Sequence, residues 1–109
     1  MIVGIRTKEN VVIITIEGSI DSKTAGGLQE QIMEKVSETN NALLDFSQVD
    51  FVSSAGLRVL LMVYRQIKSK NGKVMLVGVS DEIKDVMSMT GFINFFRITD
   101  TVDSALNLL

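Results

Sequence analysis

Two short apolar stretches open the chain. Met1–Thr7 (apolar Ile2, Val3 and Ile5) and Val11–Glu17 (VVIITIE) are rich in β-branched residues and predict strands. Only Lys8, Glu9 and Asn10 separate them, a hairpin-length break that makes the pair antiparallel. Gly18 and Ser19 then open a turn. From Ser22 onward the apolar residues Leu28, Ile32, Met33 and Val36 recur at helical spacing. Gly26 and Gly27 weaken the first turn of that helix by about 1 kcal/mol each. It therefore begins loosely, or a neighbour packs closely against it.

Ala42–Phe46 (ALLDF) predicts a short buried strand from the middle of a sheet. Ser54–Lys70 carries Leu57, Leu60, Leu61, Tyr64 and Ile67 as one helical stripe, closed by Lys68, Lys70 and Gly72. Lys73–Val77 (KVMLV) is a further buried strand. Ser80 caps a helix with Asp81 and Glu82 in its first turn and Gly91 as its stop. Phe95–Ile98 predicts a last short strand, and Asp100-Thr101 caps a closing helix. After the hairpin, strands alternate with helices, which demands parallel pairing through crossovers. The expected fold class is α/β: a single domain over residues 1–109, with a mixed four- to five-stranded sheet, an N-terminal antiparallel hairpin and about four helices.

Composition narrows the chemistry. With 46% hydrophobic and 22% charged residues, the chain is an ordinary globular domain. It contains no Cys and no His, which removes the thiolate, the disulfide, the commonest general base and the commonest zinc ligand. A net charge of −2 gives no footprint for nucleic acid. The apolar runs fall far short of the ~18 residues needed to cross a bilayer, and no charged-then-apolar leader follows Met1. A cytoplasmic protein without catalysis, cofactor or metal is expected. No phosphate-binding glycine loop and no G-x-S-x-G occurs. Asp45 and Asp50, with Asp21, raise a receiver-like Mg²⁺ site as an alternative. The three-residue first connection and a first strand ending in Thr7 do not fit it, so turn-capping or water-facing acids are preferred.

The informative run is Asp50-Phe51-Val52-Ser53-Ser54-Ala55-Gly56-Leu57. Two hydroxyls stand immediately before a long amphipathic helix. The plain reading is an N-cap, worth about 1 kcal/mol. Ala55 and Gly56 have almost no side chain, which leaves the helix end approachable from outside. A phosphoryl group on a serine there would meet backbone N–H groups and the positive end of the helix dipole. Arg58 lies one turn along from Ser54 on the same side, and Met62 and Arg65 continue the seam. Met62 is either part of that strip or core.

The run VDFVSSAGLRVLL, preceded by LLDFS and followed by GKVMLVGVS, resembles the STAS domain of bacterial anti-sigma factor antagonists. The resemblance spans nearly the whole chain. Gly18-Ser19-Ile20-Asp21 with Thr24 is similar to the family's turn before its first helix, and Met89-Thr90-Gly91-Phe92 to its later helix end. The resemblance implies a switch without catalysis. Its unphosphorylated form binds an anti-sigma factor with Ser/Thr kinase activity and frees the sigma factor. Phosphorylation of a serine at the helix start ends the complex, and a PP2C-type phosphatase restores it. The matching position is Ser54, with Ser53 the alternative where many members carry Asp. Asp21, Ser22, Thr24, Ser53, Ser54, Ala55, Gly56, Arg58 and Met62 form the expected docking surface, on a monomer or weak dimer. Other readings are a non-phosphorylated STAS scaffold in a stress-signalling assembly and the domain of an anion transporter, the latter disfavoured by the absence of a membrane span.

Overall fold

Two residues turn the opening hairpin. Glu9 and Asn10 both adopt positive φ (48° and 69°), the backbone of a type I′ turn whose twist matches its flanking strands. In the computed structural model, which describes residues 1–109, β1 (Ile2–Lys8) pairs antiparallel with β2 (Val11–Ile20). β3 (Asn41–Val52), β4 (Val74–Val77) and β5 (Arg97–Thr99) add in parallel, so the sheet order follows the chain order. The crossovers are α1 (Ala25–Glu38), α2 (Ser54–Lys68) and α3 (Asp81–Thr90). A short 3-10 turn, Phe92–Phe95, leads into β5, and α4 (Val102–Asn107) closes the chain. The expected class and hairpin are observed, with five strands and four α-helices.

Strand alternation sorts the core into two layers. Val12, Ile14, Leu44, Phe46 and Leu76 meet Leu28 and Ile32 of α1, Leu60 and Ile67 of α2, and Met87 of α3. On the opposite face Ile13, Leu43, Met75 and Val77 pack beneath Ala105 of α4. Ala42–Leu44 of β3 and the whole of β4 are covered on both faces, and both read as continuous apolar runs.

Several boundaries differ from the sequence expectation. Gly18 and Ser19 do not open a turn: Gly18, at φ +103°, carries β2 through an irregular step, and Ile20 pairs with Val52. β3 likewise continues past Phe46 to Val52. α1 starts at Ala25 rather than Ser22, because Asp21–Thr24 make a turn of their own. Phe95 belongs to the 3-10 turn, its ring 5.1 Å from that of Tyr64, and β5 starts at Arg97. α2 ends at Lys68, and Lys70 reaches the carboxyl end of α1, donating to the carbonyls of Val36 (2.8 Å), Ser37 (3.1 Å) and Thr39. Such a cation satisfies carbonyls that a helix end leaves without partners.

The glycines differ in what they do. A Cβ on Gly72 would overlap the carbonyl oxygen of Asn40, whereas one on Gly26 or Gly27 would meet nothing within 4 Å. No part of this chain packs closely at Gly26-Gly27. Gly72→Ala is therefore expected to destabilise the domain by about 1–3 kcal/mol. Gly26→Ala is expected to stabilise it by about 0.5–1 kcal/mol. Denaturant midpoints of the two variants check the pair, since the signs must be opposite.

Candidate functional site

Two loops leave neighbouring strand ends at one pole of the sheet. Ile20 ends β2 beside Val52 of β3, and the Ser53 amide donates to the Ile20 carbonyl at 2.8 Å. The Asp21–Thr24 turn and the start of α2 are thereby held side by side.

The first loop is built on a carboxylate. Asp21 Oδ1 accepts from the amides of Lys23 (2.9 Å) and Thr24 (3.1 Å). Thr24 Oγ1 accepts from the Asp21 amide at 2.9 Å, and its proton lies between the Ser19 carbonyl (3.0 Å) and Asp21 Oδ1 (3.2 Å). The bond from the Lys23 amide, foremost, holds the Asp21 carboxyl below its ordinary range. Partial desolvation opposes it, while the Thr24 amide and hydroxyl and the charge of Lys23 act with it. Ser22 stands exposed at the tip.

The second loop assigns different work to its two serines. Ser53, in extended backbone (φ −84°, ψ 175°), is the N-cap of α2, and its Oγ accepts from the Gly56 amide at 3.3 Å. Ser54 is the first helical residue and is exposed. Gly56 is buried: a Cβ there would lie 2.8 Å from Ile20 Cγ2 and 2.9 Å from Val52 Cγ1. The expectation that Gly56 bares the helix end is thus corrected. It faces inward and lets α2 approach the strands, while Ala55 is half-buried and packs on the main core.

Arg58, exposed and in no ion pair, shares a cavity of about 280 Å³ with Ser54, Leu57, Leu61, Thr90 and Phe92. It lies where the start of α2 meets the end of α3. Leu61, Thr90 and Phe92 are not among the expected docking residues; Thr90 and Phe92 belong to the Met89-Thr90-Gly91-Phe92 block that resembles the family's helix end. Met89 is 86% exposed and Phe51 53% exposed, large apolar surface that the fold itself does not use. Met62 is half-buried on α2, outside this cavity, and belongs to neither core cluster. Asp45, which accepts from the Ser47 amide at 3.0 Å, and Asp50 form no metal-holding group with Asp21.

A mixed sheet whose strand order follows the chain, with three helices on one face, is the architecture of a STAS-type domain. The STAS domain family matches residues 3–105, and the chain belongs to it. The anti-sigma-F factor antagonist RsfB of Mycobacterium tuberculosis is 30% identical over 105 residues, covering 95% of this chain and 85% of RsfB. A solved anti-sigma factor antagonist from Mycobacterium paratuberculosis superposes with a TM-score of 0.87 at 25% identity, covering 98% of this chain and 92% of the other. Unphosphorylated SpoIIAA shares the fold, with a TM-score of 0.77 at 15% identity over 96% of this chain and 94% of its own. No helix is long and apolar enough to cross a membrane.

Ser53→Ala should cost about 1 kcal/mol through loss of the cap, lowering Tm by about 4–8 °C. Ser54→Ala should stay within about 0.5 kcal/mol of the parent, and calorimetry separates the two. Because the Asp21 pKa is depressed in the folded state, its stabilisation is present above the unfolded-state value and is lost as pH falls through the folded one. Asp21→Ala is therefore expected to flatten the acid limb of the stability–pH curve while leaving its neutral-to-alkaline slope unchanged.

Proposed function

We propose that this chain is an anti-sigma factor antagonist switched at Ser54. Unphosphorylated, it docks on an anti-sigma factor with Ser/Thr kinase activity and so frees a sigma factor, working in the cytoplasm where transcription takes place. That kinase phosphorylates Ser54 and ends the complex, and a PP2C-type phosphatase resets it. The domain contributes a surface and performs no chemistry of its own.

One observation carries this reading: Ser53 spends its hydroxyl on the helix cap, while Ser54 presents its own to solvent one turn before Arg58. Asp21, Ser22, Thr24, Ser54, Arg58 and Met62 make the contact surface. Ser53, Ala55 and Gly56 set its shape from within. Gly26 and Gly27, exposed and without intramolecular neighbours, let a partner backbone come close beside the Asp21 turn.

Magnitudes decide what the phosphate does. An unpaired dianion trapped in a protein interface costs about 3–5 kcal/mol, on the order of 10²–10³ in affinity. At the helix N-terminus the same charge gains up to about 1–2 kcal/mol, with Arg58 one turn away at the i+4 position. The complex is lost and the domain is kept. SpoIIAA, solved in both unphosphorylated and phosphorylated forms, supports the view that this fold accommodates such a charge.

Incubation with an anti-sigma kinase and ATP should place one phosphate on Ser54, read by mass spectrometry, and none on a Ser54→Ala variant. Ser54→Asp should bind the kinase at least ~100-fold more weakly with Tm unchanged or raised. Phosphate on Ser53, or a Ser54→Asp variant that binds like the parent, would refute the assignment. Binding that proceeds with no modification at all would instead make the domain a passive scaffold.

A further inference from the structure

The opposite pole of the sheet carries a second concave surface. Ser54 follows the carboxyl end of β3, whereas Lys73 precedes the amino end of β4 and Arg97 is the first residue of β5. The three strands are parallel, so these residues lie at the other end of the molecule. There Lys68, Lys73 and Arg97, with Tyr64, Phe95 and Phe96, line a cavity of about 490 Å³, the largest in the domain. That volume falls within the range of small-molecule sites, about 300–1,000 Å³.

We propose that this cavity binds a small organic dianion carrying a planar ring, with phosphate as the charged group. The charge argument comes first. The chain has 13 acidic residues and a net charge of −2, yet no Asp or Glu lines this cavity. The one ion pair in the structure, Lys35–Glu38, lies elsewhere, so all three cations are unneutralised. Three like charges around one concavity repel each other, and an anion placed among them removes the repulsion. Arg97 offers the planar fork that matches phosphate geometry. Lys73 is held ready, its Nζ donating to the Leu108 carbonyl at 3.3 Å.

The ring argument is separate. Tyr64 packs edge-on against Phe96 (5.7 Å) and at a tilt against Phe95 (5.1 Å), forming one aromatic wall. Phe95 remains 44% exposed, and Lys68 Nζ stands 5.8 Å from the Tyr64 ring centre. A planar ring on this wall would bring its substituent towards the cations. β5 is the edge of the sheet, which leaves the cavity open from the side. The site is independent of Ser54, so both poles can be occupied at once.

Titration of the isotope-labelled domain with phenyl phosphate, inorganic phosphate and benzyl alcohol, followed by amide shifts, tests the proposal. Phenyl phosphate should saturate shifts at Lys68, Lys73–Met75 and Phe95–Arg97 with Kd on the order of 1 mM or tighter, at least about tenfold tighter than either half alone. Arg97→Gln and Lys73→Gln, both exposed, should each weaken it by about tenfold, with the remaining spectrum unchanged. Ser54→Asp should leave it unaffected, whatever becomes of the switch. No saturable shifts with phenyl phosphate, shifts centred on Ser54–Arg58, or equal affinity for inorganic phosphate or benzyl alcohol would each overturn it.

Discussion

The start of α2 is pressed onto the ends of β2 and β3 so tightly that no side chain fits between them. Gly56 lies against Ile20 and Val52, and the Ser53 amide is bonded to the Ile20 carbonyl. This contact fixes where the helix begins. With the beginning fixed, Ser53 has to cap it and Ser54 has to face outward. The same contact ties the Asp21–Thr24 turn to the helix start, since that turn follows Ile20 directly. One close approach of backbone to side chains thus places both loops of the candidate site.

A division of labour follows. Ser53, Ala55 and Gly56 are spent on the frame, while Ser54 and Arg58 project from it. Charge can therefore be added at the surface without touching any bond that holds the body together. The strand order points the same way. It never reverses, so the sheet has no topological crevice at its carboxyl ends of the kind that holds cofactors in doubly wound folds.

Much of the fold was legible because its signals are local. The Ser80 cap, the left-handed Gly91 stop and the Thr101 cap all fall where the residue types put them. The first half of β3 and the whole of β4 announce themselves as apolar runs. What could not be read locally depends on neighbours. Polar Ser47, Gln48 and Asp50 hide the second half of β3, which persists because β2 pairs alongside it. Gly56 looked like open surface in the sequence and proves to be a packing requirement, a distinction that only the proximity of Ile20 decides. Thr90 and Phe92 stand more than thirty positions from Ser54 and come to line one cavity with it only through the tertiary fold. Lys70, expected to close its own helix, serves the end of α1 instead.

The central claim is that a negative charge at Ser54 abolishes docking while the helix start stays closed. Amide hydrogen exchange at Gly56 and Leu57, compared between the unmodified and the Ser54-phosphorylated domain with kinase binding measured on the same samples, tests it most directly. Protection at both amides equal to or greater than in the unmodified domain, together with loss of the complex, is the predicted result. Faster exchange at those amides accompanying the loss of binding would mean that phosphorylation works by opening the helix, and would contradict the account.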